Sequence, residues 1–507
     1  MKSFTLKTII LFFLTSSIGF GQINYPHIIS NNANTQYANG ILDANDDLII
    51  IGYESTEQNS NHKVGFVKKF CIQTEEVILE HYFLFEDSTI EILPTSILGD
   101  EQNGYFVFAI MNDLINPLFY SNLVIIKFDR DLNLLFQRVF TNPLVNYSYS
   151  NSFAQFDNDS TIILTTLVNS YPPSFNNCRT MFYKLNLTGD SLYYNIIDDF
   201  KNWPFALLKN EDGSKTYRLF TSLYNQSISS LGQIVHLDSM FNVLSVDSIP
   251  RYIMQNSTAK WLNSNKYITV GKYLRNNYPN PPDWQNGALV MNKHDSVIAM
   301  NHYGKPDTTD YPAWFQSLDF IDNNNIFIGG TSNICISCGF ALLPINKAFM
   351  LVKTDSLLNT QFEYYYDFNA NLDMFSVIAT PDGGCIMLGT IYDWINAPDN
   401  KHDIFILKVD ANGIITNTQN TEKGKICEAI IGPNPGYDFI HVYIAQQIKE
   451  KVVFEIFDYT GKRVLQEIIK ATSTATINTS MLQSGMYFYS IRTSNKEIGS
   501  GKWIKVN

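Results

Sequence analysis

The sequence predicts an all-β protein, a seven-bladed β-propeller followed by a small C-terminal β-sandwich, and three observations carry that reading. A strand, turn, strand unit recurs seven times. Two further strand-like runs precede each copy, so every repeat of roughly 50 to 60 residues holds four short strands, the pattern of a propeller blade. Past residue 425 the repeat stops, and a different series of alternating strands and Gly turns runs to Asn507.

The copies run from "GFVKKFCIQTEEVILEHYF" (65–83) through "NLVIIKFDRDLNLLFQRVF" (122–140) to "HDIFILKVDANGIITNTQ" (402–419). A basic residue marks their register: Lys69, Lys127, Lys184, His236, Lys293, Lys353 and Lys408. The spacings of 58, 57, 52, 57, 60 and 55 define one period with scatter in loop length. Regular strand spacing also suits a stacked array of β-sandwiches, the alternative architecture. A propeller must close its ring. "INYPHIIS" (23–30) is the candidate closing strand, although "GIITNTQ" (413–419) reads as the outer strand of the last repeat. The expected organisation is a signal peptide (1–21), the propeller (22–420), a linker (421–427) and a C-terminal domain (428–507).

An Asp recurs at the bend between third and fourth strands, at Asp129, Asp238, Asp295, Asp355 and Asp410. Asp and Asn side chains cap backbone groups in tight turns. None of these segments has the carboxylate spacing of an EF-hand loop, so hairpin turns are expected there, and no metal or other cofactor. First-to-second connections are short, whereas second-to-third connections are long and rich in aromatic residues and Pro, as in "YLRNNYPNPPDWQNG" (273–287). In a propeller the latter all emerge on one face, which marks it as the working surface. Tyr171, Phe175, Tyr278, Trp284 and Trp394 are the candidate ligand-stacking residues of that face, with loop anchoring as their alternative role.

Catalytic motifs are lacking: the chain has no HExxH, no GxSxG and no P-loop. His236 and His294 fall inside the repeated strand-and-turn pattern, where a structural role is expected, and no catalytic residue is nominated. The formal charge is −12, or −14 once Lys2 and Lys7 are removed, which argues against nucleic acid as a partner. The six cysteines permit disulfides, and "CISC" (335–338) has no second close pair to complete a zinc tetrad.

The opening "MKSFTLKTIILFFLTSSIGFGQIN" places Lys2 and Lys7 before an apolar run from Ile9 to Leu14, with small residues ahead of Gln22. That is the order of a secretory signal peptide. The run falls short of the roughly 20 residues a membrane-spanning helix needs, and no later segment approaches that length.

The C-terminal run contains "GPNPGYDFIHV" (432–442), "FDYTGKRV" (457–464), "INTSMLQSGMY" (477–487) and "GKWIKVN" (501–507) in that order. These segments resemble the type A C-terminal sorting domain of proteins exported by the type IX secretion system of Bacteroidota. The matched positions are Pro433, Asn434, Pro435, Asp438, Asp458, Gly461, Lys462, Leu482, Gly485, Tyr487 and Lys505; Gly432 departs from the family's usual Tyr. The resemblance implies passage through the periplasm, recognition by the outer-membrane export machinery and its sortase, and delivery to the cell surface or medium. The chain therefore reads as an exported cargo whose propeller binds a glycan or a protein. The alternative is a secreted polysaccharide-degrading hydrolase or lyase on the same scaffold.

Overall fold

The computed structural model describes residues 26–506 except 31–33, 44–45, 56–62, 84–89, 101–103, 115–120, 142–144, 171–177, 198–201, 224–231, 250–252, 276–283, 307, 335–345, 394–400, 417–428, 433–435, 445–450, 459–460, 470–473 and 494–496. The expected signal peptide lies outside the described residues.

Between His27 and Val409 the described strands form seven antiparallel sheets taken in chain order, each resembling a propeller blade. The first sheet shows the plan: Asn34–Leu42, Leu48–Ser55, Val64–Cys71 and Glu76–Tyr82 pair in simple sequence order. Second and third strands are buried nearly throughout, as in Ala348–Thr354, where every residue is enclosed. Such strands need apolar residues on both faces, which explains runs like "AFMLVKT". The outer strands alternate between exposed and half-buried positions, as in Val297–Tyr303, because only one face of each packs inward.

The innermost strands share an interruption. Pairing slips between Thr35 and Tyr37, Pro94 and Ser96, Ser148 and Phe153, Pro204 and Ala206, Met254 and Thr258, and Met374 and Ser376. In the sixth sheet the innermost strand is split into Tyr311–Pro312 and Leu318–Phe320, both paired with Ile326–Ser332. A bulge bends an edge strand and re-aims its side chains, and it accommodates Pro94 and Pro204, which have no N–H to give a ladder.

Neighbouring sheets pack face to face over separate apolar clusters. Phe106, Phe108 and Met181 fill the space between second and third sheets; Val270, Val290, Ile328 and Met350 fill that between fifth and sixth. One cluster joins the sixth and seventh sheets to the first, through Phe349, Leu388, Phe405, Ile50 and Phe66. At the same junction the Ser376 hydroxyl donates to Asn39 Oδ1 at 2.5 Å, and Tyr37 packs edge-on against Phe315 and Phe375. The sheets thus run in a circle.

The last sheet is completed by the candidate closing strand, while the segment 413–419 departs from the expected pattern. Its outer strand is His27–Ile29, paired with Asp403–Val409 so that His27 faces Ile406 and Ile29 faces Ile404. The segment expected as that strand instead turns at Asp410 to Ile414, and Ile415 bridges back onto Val409. A sheet edge next to Val409 was left open, and the chain's own beginning fills it. His27 packs against Phe70 at 4.9 Å, and burial pulls its imidazole down to about 4.

The repeated basic residue has a structural partner. Its ammonium reaches back to the acid in the first hairpin turn of its own sheet: Lys69 to Asp43 (2.8 Å), Lys127 to Asp100 (3.1 Å), Lys184 to Asp157 (3.5 Å) and Lys408 to Asp382. Lys353 Nζ donates to the Ala411 carbonyl of the next sheet at 2.7 Å. The fifth repeat corrects the register read from sequence. Its bend begins at Asn292, whose Oδ1 accepts from His294 N and Ser296 N just as Asp129, Asp238, Asp355 and Asp410 do in theirs. The position matching the lysines is therefore the buried Val290, and Lys293 lies exposed in the turn. Asp295 is likewise no turn cap. It sits at φ 61° and takes Arg218 Nε from the fourth sheet at 2.8 Å and Tyr267 OH at 2.5 Å.

Past the propeller-like part, Ala429–Gly432, Phe439–Ile444 and Thr474–Asn478 form one sheet. Arg463–Ile469, Val452–Phe457, Gly485–Arg492 and Glu497–Lys505 form a second, in that spatial order. Ile440, Val442, Phe454, Ile456, Ile491 and Trp503 are buried between them, giving the expected β-sandwich. Among the described residues no helix is long and apolar enough to cross a membrane. Cys71 and Cys385 are free thiols, while Cys335, Cys338 and Cys427 lie outside the described residues.

Candidate functional site

The bulges of the innermost strands surround a cavity of about 250 Å³. It is lined by segments of the first six sheets, among them Ser96, Ser152, Ser257, Gln316, Phe205 and Trp314. All sixteen lining residues are uncharged. Several hydroxyls are held by neighbours: Ser96 Oγ accepts from Ala154 N at 3.2 Å, Ser152 shares a hydrogen bond with Thr166 at 2.7 Å, and Ser257 with Ser317 at 2.5 Å. The wall is thus a preset mixture of hydroxyls, amides and ring faces. Trp314 is 48% exposed there, an unusual state for so large an apolar ring.

The second-to-third connections lie largely outside the described residues, and with them Tyr171, Phe175, Tyr278 and Trp394. Trp284 is described. It is the first residue of Trp284–Asn292, pairs with Leu274, and is only 9% exposed. Its carbonyl accepts from Asp310 N at 2.8 Å.

On the same face the sequence reading missed Lys272 and Tyr311. The Lys272 ammonium lies 3.7 Å from the centroid of Tyr311 and 6.0 Å from that of Trp314. Burial lowers its pKa to about 8 and raises that of Tyr311 to about 12. The signal was present as alternation: Ile268, Val270 and Lys272 share one strand face, and the first two are fully buried. A Lys ending an inward row is not an ordinary surface Lys.

His236 lies between two carboxylates, 2.9 Å from Asp247 Oδ2 and 3.3 Å from Asp295 Oδ2. The three could offer ligands to a cation. Yet Asp295 already balances Arg218, so a divalent ion there would meet a guanidinium. The arrangement reads as a joint between fourth and fifth sheets, in keeping with the structural role expected for His236.

In the C-terminal sandwich the motif positions meet one another. Lys505, enclosed in the last strand, donates Nζ to Asp438 Oδ1 at 2.9 Å and to the Tyr437 carbonyl at 2.7 Å. Gly436 N donates to the Ile504 carbonyl, tying the opening segment to the same strand. Pro433, Asn434 and Pro435 lie outside the described residues. Asp458 Oδ1 accepts from Lys462 N at 3.0 Å across a turn in which Gly461 has φ 81°. Leu482 packs on the core, Gly485 opens its strand opposite Lys505, and Tyr487 donates its hydroxyl to the Gln483 carbonyl while resting on Trp503. Glu455, enclosed on the outer side, is held by Arg463 at 2.6 Å and Arg492 at 2.7 Å.

Residues 431–506 match the family described as the secretion system C-terminal sorting domain. The C-terminal sandwich is therefore a type IX sorting domain, which marks a protein exported to the cell surface or secreted and implies interaction with the export machinery. Among curated proteins none matches the chain. Among solved structures, a subtype N10 neuraminidase-like protein of A/little yellow-shouldered bat/Guatemala/060/2010 is similar at 11% identity and TM-score 0.34, over 63% of this chain and 95% of that one. A subtype N11 neuraminidase-like protein of A/flat-faced bat/Peru/033/2010 is similar at 10% identity and TM-score 0.37, over 82% and 96%. The WD40 domain of SCAP from fission yeast is similar at 8% identity and TM-score 0.36, over 77% and 98%.

Proposed function

We propose that the exported chain is a glycan-binding protein: residues 22–420 form a closed seven-bladed propeller that holds the ligand, and residues 428–507 serve the export machinery and its sortase. The central cavity carries the reading. Its wall combines hydroxyl, amide and aromatic groups without a charge, the set that suits a sugar ring, whose edges need hydrogen bonds and whose faces stack on aromatic side chains. At about 250 Å³ it lies just below the usual range for drug-sized ligands, roughly 300–1,000 Å³, and so suits one saccharide unit rather than a buried chain. Hydrolysis or elimination would call on a carboxyl pair or another acid and base at the bond. An uncharged wall favours binding over such chemistry.

The test incubates the mature protein with a panel of polysaccharides and measures both retention and released product. Retention of a subset with no rise in reducing ends supports the reading. Release of product would replace it with the polysaccharide-degrading enzyme, and absence of retention across the panel would leave protein ligands in its place.

A further inference from the structure

We infer that the cleft between the fifth and sixth sheets, on the face of the long connections, is a subsite for a carboxylate carried by a sugar ligand. The inference rests on the glycan-binding reading and adds the class of glycan, an acidic one.

Two independent observations meet in the cleft. The first is the Lys272 ammonium. Lys272 is half-buried at the outer end of the row whose inner members, Ile268 and Val270, belong to the core between these sheets, and its ammonium lies 3.7 Å from the Tyr311 ring centroid and 6.0 Å from that of Trp314. Burial alone governs its protonation; among the described residues no carboxylate adds to it. Three buried lysines of this chain are matched by carboxylates, Lys69 by Asp43 at 2.8 Å, Lys127 by Asp100 at 3.1 Å and Lys68 by Glu80 at 2.9 Å, and the buried Lys353 has the Ala411 carbonyl at 2.7 Å. Lys272 has ring faces beside it and neither of these partners, so an anion would complete its pairing, since even partial burial of a charge is costly until it is matched.

The second observation is Asn286, the cross-strand partner of Lys272. Asn286 is fully buried, and both its carboxamide nitrogen and oxygen lack a hydrogen-bond partner. Buried polar groups in native proteins are paired almost without exception, so a buried amide idle at both ends calls for a partner. Gly330 gives the Asn286 side chain its place, since a Cβ there would come within 2.3 Å of Nδ2. A carboxylate entering the cleft supplies the missing charge to Lys272 and the missing acceptor to the Asn286 amide. Beside it, Trp314 links the cleft to the uncharged cavity and offers a ring face to the sugar that carries the acid.

The experiment is calorimetric titration of the mature full-length protein with sodium glucuronate, glucose and N-acetylglycine, repeated on Lys272→Met and Asn286→Ala, with melting curves to show that each variant folds. Lys272→Gln replaces Lys272→Met if the latter does not fold. Glucuronate is expected to bind the native protein and to lose at least about tenfold in affinity in the Lys272 variant, the scale of one lost charge-assisted contact. Glucose should bind at least about tenfold more weakly than glucuronate to the native protein, and N-acetylglycine likewise. Equal binding of glucose and glucuronate, or unchanged glucuronate binding by the Lys272 variant, would overturn the subsite while leaving glycan binding intact. Equally tight N-acetylglycine binding would overturn the sugar as carrier of the carboxylate. Failure of all saccharides, acidic and neutral, would overturn both readings.

Discussion

Lys505 Nζ lies 2.9 Å from Asp438 Oδ1, joining the last strand of the sorting domain to the segment that opens it. Lys505 is enclosed, whereas the Asp438 side chain is 70% exposed. The two halves of the pair therefore respond differently to substitution. Asp438→Asn keeps a hydrogen-bond acceptor and should weaken the joint by about 1 kcal/mol, near the net value of one hydrogen bond. Lys505→Ala removes both bonds and the packed stem and should cost about 2 to 3 kcal/mol. Hydrogen exchange of residues 497–505 in the full chain checks this, and protection unchanged in both variants would sink it.

Removal of residues 427–507 should retain the chain in the periplasm, because the sorting function resides in the matched residues 431–506. Cell fractionation and surface labelling read the outcome. Display of the truncated chain at the normal level would refute the assignment of export to this domain.

The Arg218 and Asp295 pair joins the fourth and fifth sheets with side chains only 6% and 10% exposed. Arg218→Met strands a buried carboxylate and should destabilise the propeller by about 3 to 5 kcal/mol, the cost of breaking a buried pair from one side. Adding Asp295→Asn removes the stranded charge and should restore part of the loss. Urea unfolding of the three variants tests the pair, and additive effects would show the residues to be uncoupled.

Acid should loosen the propeller through His27 and His402, whose imidazoles burial lowers to about 4 from the ordinary 6.5. The unfolded chain takes up their protons first. Stability is therefore whole above pH 6.5, declines as pH falls from 6.5 toward 4, and gains no further loss from these groups below that. Urea midpoints at pH 7.0, 5.5 and 4.5 measure the decline, roughly. His27→Phe should flatten part of it, and an identical pH profile in that variant would rule His27 out.

Much of the fold was legible because the repeated unit is local: a buried strand, a bend capped by Asp or Asn, and an outer strand announce themselves within some twenty residues. The register slipped in the fifth repeat for a chemical reason. Val290 occupies the lysine's place, so the sequence pattern points to the nearest basic residue, Lys293, and to Asp295 as a turn cap. In the seventh sheet Ile414 and Ile415 look like strand residues in sequence, while the pairing falls to the candidate closing strand, as His27–Ile29, at the far end of the chain. The site was less legible than the fold. Counting aromatic residues points to the long connections and to Trp284, which is buried. Lys272 and Asn286 escape notice because a Lys and an Asn in strands read as solvent-facing, and only the packing of two sheets against each other buries Asn286 and half-buries Lys272.

His27–Ile29 on Asp403–Val409 also gives the ring a single seam, clasped by residues some 375 positions apart in the chain. The entropy of bringing such distant ends together must be met before the clasp returns any stability, so it is expected to close late and open early. A truncation at the start of the chain and one near residue 403 would unpick the same sheet. Wear on this protein outside the cell, by heat, acid or proteases, should begin at that seam and travel around the ring from there.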